Sequence, residues 1–100
     1  MEETAPTARP DWRIEPPFDL AAVPDAPAVF VVRLGDAEPY LGRTSMLQRR
    51  LARLLGGRAE PSRRLNLSSI ATAVEAWAVR GKLPAALLNY RLAKQLFPDR

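Results

Sequence analysis

From Ala28 to Leu34 the chain reads Ala-Val-Phe-Val-Val-Arg-Leu, an apolar run rich in β-branched residues, set between Pro27 and the turn-prone pair Gly35-Asp36. Its length and composition predict a strand. Glu38-Pro39-Tyr40-Leu41-Gly42 follows at once and predicts the antiparallel partner of a β-hairpin, with Pro39 marking a sheet edge or a strand start. Thr44 or Ser45 then offers an N-cap to a helix whose apolar residues Leu47, Leu51, Leu54 and Leu55 recur at i, i+4, i+7 and i+8, ended by Gly56-Gly57. The remaining positions of that helix include Arg49, Arg50 and Arg53, with Arg49 and Arg53 one turn apart on the outer face.

Residues 58–68 read as a polar connection, with Leu65 and Leu67 as candidate anchors. Residues 70–80 fit a helical and a strand period almost equally. Val74, Trp77 and Val79, and the turn-like Arg80-Gly81-Lys82 behind them, favour a strand from about Thr72 to Val79. Pro84, at a first-turn position, opens a final helix with Ala85, Leu88, Leu92 and Leu96 on one face, closed by Phe97-Pro98. The order β-β-α-β-α predicts a small α+β domain over residues 27–100, a three-stranded antiparallel or mixed sheet flanked by helices.

Six of the ten prolines (Pro6, Pro10, Pro16, Pro17, Pro24, Pro27) fall within residues 1–27, so residues 1–26 read as a proline-rich, acidic arm in extended form. Trp12, Ile14, Phe18, Leu20 and Val23 are too apolar for a wholly solvated linker. They predict packing of the arm on its own domain, with docking of the arm on a partner protein as the alternative.

Length changes this picture little, since 100 residues make one domain with a modest core. Composition changes it more. The chain has no cysteine and no histidine, which removes disulfides, thiolate nucleophiles, imidazole bases and the usual zinc ligands. Catalysis would fall to Tyr, Arg, Lys, Ser, Thr or carboxylates. No apolar stretch approaches the roughly 18 residues of a membrane span, and no secretory leader pattern is present, so a cytoplasmic protein without a membrane partner is expected. The net charge of +4 is unevenly spread: Glu2, Glu3, Asp11, Glu15, Asp19 and Asp25 crowd the first 25 residues. Between Arg33 and Lys82 ten Arg and Lys face only Asp36, Glu38, Glu60 and Glu75, a balance suited to a polyanion.

Pro27-Ala28-Val29-Phe30, then after nine residues Tyr40-Leu41-Gly42-Arg43-Thr44, and then Leu47 and Arg50 form a pattern that resembles the GIY-YIG nuclease superfamily. Within that superfamily it is similar to the N-terminal nuclease domain found in the bacterial excinuclease. The likeness covers about residues 27–98. It implies a DNA endonuclease or DNA-repair nuclease that hydrolyses phosphodiesters with one Mg2+ or Mn2+, a Tyr activating water and an Arg stabilising the developing charge.

Carried onto this chain, the resemblance implies Phe30 at the first family Tyr, Tyr40 at the second, Arg43 at the basic residue after Gly, and Arg50 at the catalytic Arg. The metal-binding Glu of the family falls on Asn89, an amide without formal charge, and Glu75 is a candidate substitute. Thr44, Arg43, Arg49 and Arg53 become candidate DNA-backbone contacts. Beside these stand plainer readings: Tyr40 as a strand aromatic, the arginines as a solvated helix face, Trp77 as packing before a base-stacking platform, Glu75 as a surface carboxylate and Asn89 as a helix-flank amide. The alternative function is a catalytically inactive module of the same fold that binds DNA or a protein.

Overall fold

The computed structural model describes residues 9–56 and 70–98, so the connection expected over residues 58–68, with Leu65 and Leu67, lies outside the described residues. The elements run β1 (Trp12–Ile14), a 3-10 turn (Leu20–Ala22), β2 (Ala28–Leu34), β3 (Ala37–Thr44), α1 (Leu47–Gly56), β4 (Ala73–Ala78) and α2 (Lys82–Leu96). The strand order is β1-β4-β2-β3 and every pairing is antiparallel. The sheet therefore has four strands where the sequence predicts three. The extra strand comes from the arm: β1 adds to the free edge of β4 with Trp12 opposite Ala76 and Ile14 opposite Val74.

β2 lies in the middle and is buried on both sides, which is why its sequence is continuously apolar rather than alternating. Ala28, Phe30 and Val32 face α1, together with Val74 and Ala76 from β4. Val29 and Val31 face α2, together with Trp77. The hairpin turns at Gly35-Asp36, and Gly35 takes φ of 66°, a left-handed conformation that a side chain would strain. The pairing shifts between Val32 and Leu34, so that Glu38 and Pro39 together stand opposite Arg33. A bulge on an edge strand tolerates a proline, since no ladder donor is required there.

α1 buries Leu47, Leu51, Leu54 and Leu55 against the first sheet face, and full burial of each side chain contributes about 1.5–3 kcal/mol. Its exposed first-turn donors find partners from outside the helix. The Thr44 Oγ1 accepts from Met46 N–H at 3.0 Å, the Ala26 carbonyl from Leu47 N–H at 3.1 Å, and the Asp25 carboxylate from Arg49 N–H at 3.0 Å. Of the two capping residues expected, Thr44 holds an N–H just before the helix, while the carboxylate cap comes from Asp25 in the arm.

The arm is part of this body. Val23 is buried in the α1-side core, and Trp12, Ile14, Phe18 and Leu20 pack against it. Gln48 donates from Nε2 to the carbonyls of Leu20 and Val23, both at 3.0 Å, and so ties α1 to the 3-10 turn. Packing on its own domain is what the apolar residues of the arm predict, and residues 9–26 do not form a separate segment. On the second face α2 lies against β3 and β2 through Ala85, Leu88, Leu92 and Leu96, the face read from the sequence.

Candidate nucleic-acid interface

Tyr40 stands on β3 opposite Val32, so its side chain turns to the α1 side of the sheet. The short passage from Thr44 to Leu47 brings Arg50, on the first turn of α1, back over β3. There the Arg50 Nη2 donates to the Tyr40 Oη at 3.1 Å. A guanidinium only donates, so the phenol oxygen is the acceptor and its own proton remains available to an outside acceptor. Side by side, the remaining Arg50 N–H groups and the Tyr40 O–H make a fork of donors suited to a phosphate oxygen.

Phe30 holds that phenol in place. Its ring is fully buried and stacks on the Tyr40 ring, with centroids 6.0 Å apart and planes inclined by 24°. Gly42 lies opposite Phe30 in the ladder, and a Cβ there would stand 2.7 Å from the Phe30 Cζ and 3.3 Å from the Tyr40 Cε1. The spacing Tyr40-Leu41-Gly42 thus has a local physical reason: a side chain at residue 42 would occupy the space of the two rings. Phe30, without a hydroxyl, buttresses Tyr40 from the core.

Arg50 also lines an open cleft of about 420 Å³ with Thr44, Met46, Arg49, Ala52 and Arg53. Arg49 makes an ion pair with Asp25, Nε to Oδ2 at 3.1 Å, and its side chain stays 73% exposed. Arg53 makes no ion pair among the described residues. Three guanidiniums against one carboxylate leave the cleft positive. Met46, Ala52 and the Asp25 carboxylate were not among the residues singled out in the sequence. Asp25 carries no local signal for its role, since it reaches α1 from 24 positions away.

Arg43 turns the other way. It pairs with Val29, whose side chain faces α2, and lines a second groove of about 460 Å³ with Pro27, Ser45, Val79, Lys82 and Ala85. Thr44 forms part of the wall of both depressions. A basic track therefore runs from Arg53 through Arg49, Arg50 and Thr44 to Arg43 and Lys82, around the end of β3.

The two candidate metal residues stand elsewhere. Asn89 is half-buried on α2, the helix on the opposite face of the sheet from Tyr40 and α1. Glu75, on β4, faces the α2 side as well and is held between two arginines, 3.0 Å from the Arg33 Nη2 and 3.6 Å from the Arg13 Nε. It ties β1, β4 and β2 together where α2 does not reach. Arg13 also bonds Glu15, and that hydrogen bond, followed by the charges of Glu15 and Glu75, raises its guanidinium pKa further. No cluster of three or more metal-binding side chains of the Asp, Glu, His or Cys type occurs among the described residues. Neither Glu75 nor Asn89 fits a Mg2+ site shared with Tyr40 and Arg50. Trp77 is buried beside Val29, Val31 and Leu92 and belongs to the core, not to a stacking platform.

No helix among the described residues is long and apolar enough to cross a membrane. In comparisons with protein-family models, curated proteins and solved structures, nothing matches the chain.

Proposed function

We propose that the chain is a GIY-YIG-like domain that binds the phosphodiester backbone of DNA without cutting it. The supporting observation is the gathering of Arg50, Arg49, Arg53 and Thr44 around one open cleft, continued by Arg43 and Lys82. Guanidiniums displayed along such a track neutralise successive phosphates and release their counterions. The donor fork of Arg50 and Tyr40 fixes one phosphate, while Arg49 and Arg53, one helical turn apart, take neighbours along the strand. The engagement of Glu75 with Arg13 and Arg33 argues against its service as a metal ligand, and Asn89 on the far face supplies no charge beside the cleft.

The Tyr40–Arg50 hydrogen bond favours a second reading, a phosphodiesterase of DNA-repair type, because that pair is what the family resemblance requires of water activation and charge stabilisation. The two readings separate in one experiment. Supercoiled plasmid is incubated with the protein in the presence of Mg2+ or Mn2+ and run beside a gel-shift of labelled duplex. Retarded duplex with intact supercoils supports the binding module. Nicked circles that disappear in both Tyr40→Phe and Arg50→Ala establish the nuclease instead.

A further inference from the structure

α2 has a second apolar face that the sheet does not cover. Ala85, Leu88, Leu92 and Leu96 turn inward, whereas Leu83, Leu87 and Tyr90 stand 69%, 55% and 61% exposed. At about 100° per residue these three form a single ridge on the side of the helix away from Leu92. Leu83, Ala86, Leu87 and Tyr90 occupy i, i+3, i+4 and i+7, the four corners of a hole that receives a knob from a facing helix. One heptad on, Tyr90, Ala93, Lys94 and Phe97 occupy the same four places, and the surface between them sinks into a recess of about 250 Å³. The holes share Tyr90, each has an alanine at its second corner, and the Phe97 N–H bonds the Ala93 carbonyl at 2.8 Å, which keeps the last corner in the helical turn. The Lys94 Nζ lies 5.6 Å from the Tyr90 ring centre, so ammonium and ring form one wall between the holes.

Charge selects the occupant. α2 carries Lys82, Arg91 and Lys94 and no acidic residue, and Arg80 precedes it. A second copy of the same helix would set cation against cation, so self-pairing is disfavoured. The exposed ridge is also narrow, bounded by Arg91 and Gln95 on one flank and by Lys82 and Asn89 on the other, the width of a helix–helix seam rather than of the broad apolar face that an interfacial helix sinks into lipid. We infer that the outer face of α2 docks an acidic amphipathic helix of a partner protein, with two knobs seated in the holes at Leu83–Tyr90 and Tyr90–Phe97 and flanking carboxylates beside Arg91 and Lys94. This face lies across the sheet from the α1 cleft, so a helix seated on it leaves Arg49, Arg50 and Arg53 open.

The test uses the full chain and two labelled synthetic helices of three heptads, both with leucine at the a and d positions, one with Glu and one with Lys at e and g. Fluorescence anisotropy is expected to show saturable binding of the Glu peptide, weakened about tenfold or more by Leu87→Asp and by Lys94→Glu and unchanged by Arg53→Ala. Circular dichroism confirms that the variants, altered at exposed positions, keep the fold. Equal binding of both peptides, binding of neither, or insensitivity to both α2 substitutions overturns the inference. So does preferential binding to phosphatidylserine vesicles, or concentration-dependent dimerisation abolished by Leu87→Asp.

Discussion

Arg50 donates to the Tyr40 hydroxyl across 3.1 Å, and this one bond joins the edge strand β3 to the first turn of α1. It fixes a long, otherwise mobile side chain at the rim of the cleft, so that less rotamer entropy is lost when a phosphate arrives. Tyr40→Phe keeps the ring stack on Phe30 and removes both the acceptor and the outward donor. DNA affinity is expected to fall severalfold in anisotropy titrations, while urea unfolding changes by no more than about 1 kcal/mol.

Gly42→Ala reads the other side of the same construction. The added Cβ would meet the Phe30 Cζ at 2.7 Å, and Phe30 is fully buried, with little room to yield. A loss of about 1–3 kcal/mol in urea unfolding is expected, accompanied by weaker DNA binding as the Tyr40 ring is displaced.

Asp25→Ala separates stability from function. The carboxylate accepts from the Arg49 N–H at the start of α1 and pairs with the Arg49 guanidinium. Its removal costs about 1 kcal/mol of stability through loss of the cap. The same change strips the only described carboxylate from the cleft rim, so DNA affinity measured by anisotropy is expected to rise. Loss of affinity parallel to loss of stability would show that Arg49 needs Asp25 to be positioned.

Glu75→Ala tests a structural role against a metal role. Its partners are surface arginines, 50% and 44% exposed, so the expected cost is small, about 0.5–1 kcal/mol, and shrinks at high salt. DNA affinity with and without Mg2+ is expected to remain at the wild-type value. A drop seen only with Mg2+ would return Glu75 to the metal-binding role.

Much of this was legible in residue order. β2 declared itself by an unbroken apolar run because it is covered on both faces, and α1 by leucines at helical spacing because only one of its faces is covered. The inward face of α2 followed from Ala85, Leu88, Leu92 and Leu96. β1 was hidden, since three residues among prolines carry no period, and its partner Val74–Ala76 lies some sixty positions away. The family resemblance implied that Tyr40 and Arg50 share a site, and the short passage from Thr44 to Leu47 is the physical reason that they meet. Asn89 could not be placed in the same way: which face of the sheet receives α2 depends on the path of the connections before it, and one helix residue carries no mark of that choice. The resemblance and its charge group Arg43 with Arg49 and Arg53, whereas strand alternation sends it to the opposite face from Tyr40.

The most direct measurement is the salt dependence of duplex DNA binding by the wild-type chain and by the Arg50→Ala/Arg53→Ala double variant, followed by fluorescence anisotropy. If the cleft neutralises about four phosphates, the logarithm of the wild-type binding constant falls against log salt with a slope of roughly −3 to −4, and the double variant reduces that slope by about 2 while remaining folded. A wild-type slope near zero, or a double variant with the wild-type slope and affinity, would contradict the assignment of the α1 cleft as the DNA-binding surface.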